Sequence, residues 1–177
     1  MNKKIKSIGY ILLSAGIVFF IYTLLHEFGH MVVMISVGAR ITDFSVLTAH
    51  VSGDGGEYTS LSKMIESANG ALFPLIISYI YILLYQKGNT KSLYRIFSYI
   101  VTLVPAASML AWVIIPFVYL QGKAPINDDV TKFLTVFSKN YHPLIVSAVA
   151  VIFIGISVVL MIKKQVIHNF IEEIKQK

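Results

Sequence analysis

His26-Glu27-Phe28-Gly29-His30 offers two imidazoles and a carboxylate at H-E-x-x-H spacing. On a helix, residues four apart project from the same face, so both rings can reach one metal ion. The glutamate between them can reach a water on that metal without occupying a ligand position. This is the donor pattern of zinc hydrolases, in which two histidines bind the ion and the glutamate is general base. The flanks are apolar, with Ile17-Val18-Phe19-Phe20-Ile21 before the motif and Met31-Val32-Val33-Met34-Ile35 after it. Ionisable groups are costly inside a bilayer and mark functional positions. A shared metal would satisfy all three.

Two histidines leave a catalytic zinc site one protein ligand short, with the last position open to water. The candidates by type are Asp128, Asp129, Glu66, His50 and His142. Asp128 and Asp129 are favoured because a carboxylate at a helix start can be aimed at a neighbouring span. The same position suits a helix cap. His50 falls in a strand-like segment, His142 precedes a proline and His168 lies in a charged tail, so all three read as surface residues. Glu66 reads either as a solvated residue at the membrane edge, the favoured reading, or as a partner that supports a ligand.

The elements that must position these groups follow from composition. The chain has 177 residues, is 56% hydrophobic and has a mean hydropathy of +0.73. That exceeds the roughly 45–50% apolar content of soluble domains. Several stretches approach the roughly 20 apolar residues that cross a bilayer. The expectation is an all-α polytopic membrane protein, a single domain over 1–177, in contact with the lipid bilayer. The spans are placed at about 8–37, 61–85, 93–120 and 144–162. A short helix falls at 130–138 and a polar amphipathic tail follows the last span. Pro74 is expected to kink or break the second span, and Pro105 and Pro116 to distort the third.

Within residues 39–60, the stretch 39–51 is rich in β-branched and aromatic side chains, and the segment reads as a small β-hairpin after the first span. Its turn is placed at Ser52-Gly53-Asp54-Gly55-Gly56 and its return strand at Glu57-Tyr58-Thr59. The glycine-rich segment lacks a Walker lysine and the spaced carboxylates of a calcium loop, so it reads as a plain turn.

With a net charge of +6, the basic residues lie mostly at the two ends and in one loop. They flank apolar runs, which is a membrane-orientation signal rather than a nucleic-acid footprint. With the N-terminus inside, ten lysines and arginines fall on the cytoplasmic side and five on the other. Both termini are therefore expected in the cytoplasm, with the plasma membrane of a prokaryote as the setting. His26 lies about 27 Å of helix beyond Ile8, towards the outer leaflet of a core about 30 Å thick. The basic segment Met1–Lys6 resembles a signal-peptide start, but the apolar run behind it is too long, so it reads as a retained span. There is no cysteine, which excludes disulfides and thiolate ligands.

At this point the chain resembles the site-2 protease family of intramembrane zinc metalloproteases. The resemblance rests on His26-Glu27-Phe28-Gly29-His30 and a glycine-containing turn leading to strand-like residues. It extends to Ala68-Asn69-Gly70-Ala71-Leu72-Phe73-Pro74 and an aspartate at the start of a late helix. It covers most of the chain, as a minimal core without accessory domains. It implies one Zn2+ per chain held by His26, His30 and Asp129, with Asp128 as the alternative ligand. It further implies Glu27 as general base and Asn69 as a residue that positions substrate or a reacting oxyanion. The implied activity is hydrolysis of a peptide bond in or beside a transmembrane segment of a membrane-protein or peptide substrate. The hairpin at 41–59 would hold the opened substrate by edge pairing. The competing readings are a catalytically inactive zinc-binding regulator and a small proton-coupled transporter.

Overall fold

The computed structural model describes residues 3–175. Its elements are α1 (Lys3–Ser36), β1 (Ala39–Ser45), β2 (His50–Gly55), α2 (Ser60–Leu84), α3 (Ser92–Leu120), α4 (Asp129–Phe137), α5 (Leu144–Lys163) and α6 (Val166–Lys175). The helices α1, α2, α3 and α5 are long and apolar enough to cross a membrane. At 34 residues, α1 is about 51 Å long and exceeds the hydrocarbon core of about 30 Å.

The burial pattern is that of a bundle in lipid. Large apolar side chains such as Leu12, Phe19, Ile80 and Ile152 point outward. Ser14, Ser78, Ser98, Thr102, Ser147 and Ser157 are buried between helices. Small polar residues allow close approach and hydrogen-bond across the interfaces. Ser147 Oγ donates to the Val113 carbonyl at 2.8 Å, joining α5 to α3, and Tyr79 Oη donates to the Phe153 carbonyl at 2.8 Å, joining α2 to α5.

Pro74, Pro105 and Pro116 all lie inside continuous helices. The expected break at Pro74 is absent. Its missing N–H costs α2 the one bond to Gly70 four residues earlier, and packing on both sides of the proline sustains the helix.

The hairpin is present, but its turn lies earlier than the glycines indicate. Residues 46–49 form the turn, with the Ala49 N–H donating to the Val46 carbonyl at 3.3 Å and Ala49 at φ +48°. The glycine-rich segment is the return strand itself, with Arg40 opposite Asp54 and Phe44 opposite Val51. A bulge between Ile41 and Asp43 shifts the register. Gly53 serves close packing, since a Cβ there would lie 3.0 Å from the Arg40 carbonyl oxygen. Glu57-Tyr58-Thr59 is not a strand. Thr59 caps α2 in a capping box, its Oγ1 accepting from the Ser62 N–H at 3.1 Å while Ser62 Oγ accepts from the Thr59 N–H at 2.8 Å.

The tail beyond α5 is a docked helix, α6. Asn169 is buried and its Nδ2 donates to Tyr85 Oη at 2.9 Å and to the Lys87 carbonyl at 3.0 Å. Phe170 stacks on Tyr99 at 3.9 Å between ring centroids. With successive spans antiparallel, the end of α1, the hairpin, the start of α2 and α4 collect at one end of the bundle. The start of α1, the α2–α3 connection and α6 lie at the other.

Candidate metal centre

Two elements bring the donor groups to this end, two from α1 and one from α4. His26 and His30 project from one face of α1, and Asp129 opens α4, 99 residues further along the chain. Asp129 Oδ2 lies 3.1 Å from His26 Nε2 and 3.1 Å from His30 Nε2, and the two nitrogens are 3.2 Å apart. Among the described residues, these three form the one cluster of its kind that could hold a metal ion.

The proton count in this triangle is informative. His30 Nδ1 lies 2.8 Å from the Glu66 backbone carbonyl, which can only accept, so Nδ1 carries the hydrogen. Neutral His30 therefore turns a bare lone pair towards the Asp129 carboxylate. Two lone-pair atoms at 3.1 Å need a positive centre between them, either an added proton or a metal ion. The spacing suits a metal. Tetrahedral zinc with bonds of roughly 2.0–2.1 Å places its donor atoms about 3.3 Å apart. The donor set of two imidazoles and one carboxylate is also a zinc set, and the His30–Glu66 bond is the kind of support that fixes a ligand's tautomer. His26 Nδ1 is buried with no hydrogen-bond partner among the described residues, so its ring is oriented by the cluster side and by the neighbouring Tyr22 ring.

Burial alone would raise the Asp129 carboxyl, yet the contacts with His26 and His30 hold it well below the usual carboxylate range. It is therefore an anion ready to ligate. Its other oxygen, Oδ1, accepts from Lys132 Nζ at 3.3 Å. Asp128, the neighbouring candidate, is differently occupied: it is the N-cap of α4, and its Oδ1 accepts from the Val130 N–H at 2.8 Å.

Close helix contact supports the motif from behind. A Cβ on Gly29 would run into the Asn69 backbone carbonyl, and one on Gly70 would run into His30 Nε2 and lie 2.8 Å from His26 Cε1. Two glycines on facing helices thus let α2 touch the imidazoles. Asn69 Nδ2 donates to the Gly29 carbonyl at 2.7 Å, tying the helices together beside the motif.

A cavity of about 530 Å³ opens over the cluster, and Glu27, His50, Glu66 and Lys132 line it with the triad. Glu27 is only 4% exposed. Reading Glu66 as merely solvated is corrected here, because its carbonyl orients His30 and its side chain faces the cavity. The signals for Gly70 and Lys132 were a glycine beside a polar residue in an apolar span and a lysine three after the aspartate. His50 pairs with Asp43 at 3.7 Å on the hairpin surface, His168 pairs with Glu172 on α6, and His142 Nδ1 accepts from the Leu144 N–H. None of the three joins the triad. Compared with protein-family models, curated proteins and solved structures, the chain matches none.

Proposed function

We propose that the chain is an intramembrane zinc metalloprotease of the site-2 protease kind, hydrolysing a peptide bond in or next to a substrate's transmembrane segment. The observation that carries this reading is the convergence of His26, His30 and Asp129 at 3.1–3.2 Å with Glu27 in the same cavity. His26, His30 and Asp129 hold one Zn2+. Zinc supplies Lewis acidity, which acidifies water and polarises a carbonyl. Glu27 takes a proton from the attacking water as the new C–O bond forms. It then delivers that proton to the amine nitrogen as the C–N bond breaks. Asn69 holds the α1–α2 contact through its amide nitrogen, and its amide oxygen is the group that would position substrate.

A peptide bond must leave its helix before a nucleophile can reach the carbonyl. The hairpin offers the means. Ala49, His50 and Val51 line the cavity, and the other edge of β2 has no strand partner among the described residues. An opened substrate segment can pair there as an added strand.

The test combines metal analysis with proteolysis. The detergent-purified wild-type chain is expected to carry about one zinc, as expected for a single site with one open position, and His26→Ala none. Co-reconstituted with apolar transmembrane peptides, the zinc form should yield cleaved products by mass spectrometry. Glu27→Gln should keep its zinc and lose cleavage. Retained cleavage in Glu27→Gln would falsify the mechanism, and a wild-type chain that cannot be loaded with zinc would remove the reading.

A further inference from the structure

A second cavity, of about 170 Å³, lies among α2, α3, α4 and α5. It shares no lining residue with the metal cavity. Every side chain that lines it is apolar or aromatic, among them Trp112, Phe133, Phe137, Ile145, Val149 and Ala150. Buried water needs two to four polar partners, and an engineered apolar cavity of about 150 Å³ stays dry yet takes up benzene. The lining therefore admits an apolar occupant and excludes water.

Its location indicates which one. Ile145 and Val149 are one turn apart on α5, a candidate span, and both are half exposed, at 47% and 44%. They form a mouth on the outward face of a membrane-crossing helix, where the surrounding medium is acyl chain. Phe133 and Phe137, also one turn apart, form the roof from α4. Trp112, 7% exposed, forms part of the inner wall from α3.

We propose that this cavity is a binding site for a phospholipid acyl chain, entering between Ile145 and Val149 and ending against Trp112. A chain held there packs the back of α4, the helix whose first residue is Asp129. The acyl-chain site stands on its own lining and does not require the metal reading.

Trp112 is the single tryptophan of the sequence, so its fluorescence reports on the cavity directly. The chain is reconstituted in phosphatidylcholine, either unmodified or brominated midway along its acyl chains. Wild-type emission should lose most of its intensity in the brominated bilayer. Ala150→Leu, which fills the cavity, and Ile145→Phe, which narrows its mouth, should recover most of that emission with an unshifted maximum. The two variants act at separate places, so a folding failure in one leaves the other as the test. His26→Ala should be quenched like the wild type, which separates this site from the metal centre. Unquenched wild-type emission would overturn the proposal. So would equal quenching in wild type and both folded variants, because the bromines would then act from outside the cavity.

Discussion

At the residue scale, the two adjacent aspartates have different tasks because a helix start treats successive positions differently. The N-cap side chain folds back on the free N–H groups, while the next residue projects sideways from the first turn. Asp128→Ala should therefore cost about 1 kcal/mol of stability through the lost cap and keep zinc. Asp129→Asn should keep the fold and lose zinc. Metal analysis beside a denaturation curve checks both, and the reverse pattern would exchange the two assignments. Gly70→Ala is the sharper case. A single methyl added there meets both imidazoles, so zinc affinity should fall about as far as in His30→Ala. Metal content equal to wild type would show that α2 can retreat from the motif.

At the element scale, α1 and α2 form the frame of the site and α4 completes it. Two hydrogen bonds tie α1 to α2, Asn69 to the Gly29 carbonyl and His30 to the Glu66 carbonyl, and the Thr59–Ser62 capping box fixes the start of α2. Interhelical hydrogen bonds in bilayers contribute about 0.6–2 kcal/mol, so Asn69→Leu should lower stability by that order and weaken zinc binding with it. Calorimetry and metal titration of the same variant check this. Thr59→Ala should lower stability by about 1 kcal/mol without altering zinc affinity, because the cap lies about three turns before Gly70. The hairpin shows why glycines mislead at this scale. Gly53 sits in β2 for close approach, and Gly55 and Gly56, at φ +76° and +84°, lead the chain out of the strand rather than around the hairpin. The turn itself is made by Val46–Ala49, whose sequence carries no glycine, proline or asparagine.

At the scale of the whole molecule, the site, the hairpin and α4 share one end of the bundle, and α6 closes the other. Ion pairs from Arg95 to Glu172 and Glu173 fasten α6 to α3. From the lysine and arginine distribution we propose that the end carrying the start of α1 and α6 faces the cytoplasm. The absence of native cysteine makes this simple to test. In whole cells, a cysteine at Leu47, on the exposed hairpin tip, should react with a membrane-impermeant maleimide, and one at Lys6 should not. The opposite pattern would invert the orientation. Because zinc would bind the folded chain and tie α1 to α4, loading should also raise the unfolding temperature, by about 2.7 kcal/mol of free energy at a hundredfold excess over the dissociation constant. Chelator should bring wild type down to the His26→Ala value, and an unchanged transition would argue against metal binding.

The four spans, the hairpin's existence and the shared helix face of the donors at 26 and 30 were legible in the sequence because each is local. Hydropathy over some twenty residues, β-branching over seven and a four-residue helical spacing need no knowledge of distant partners. The amphipathic character of the tail was equally local, but its docking as α6 was not, since Asn169 reads as a tail residue until Tyr85 and the Lys87 carbonyl are beside it. Continuity through Pro74 was likewise decided by packing from neighbours. The choice between Asp128 and Asp129 depended on a one-residue difference in where α4 begins. The role of Glu66 lies in a backbone carbonyl, which no side-chain pattern encodes. Gly70 matters only because α2 presses against α1 there. Sequence alone determined which donor groups the chain possesses and which segments carry them. Tertiary structure decided which donors meet, because three atoms converge only when helices separated by about a hundred residues are packed to contact.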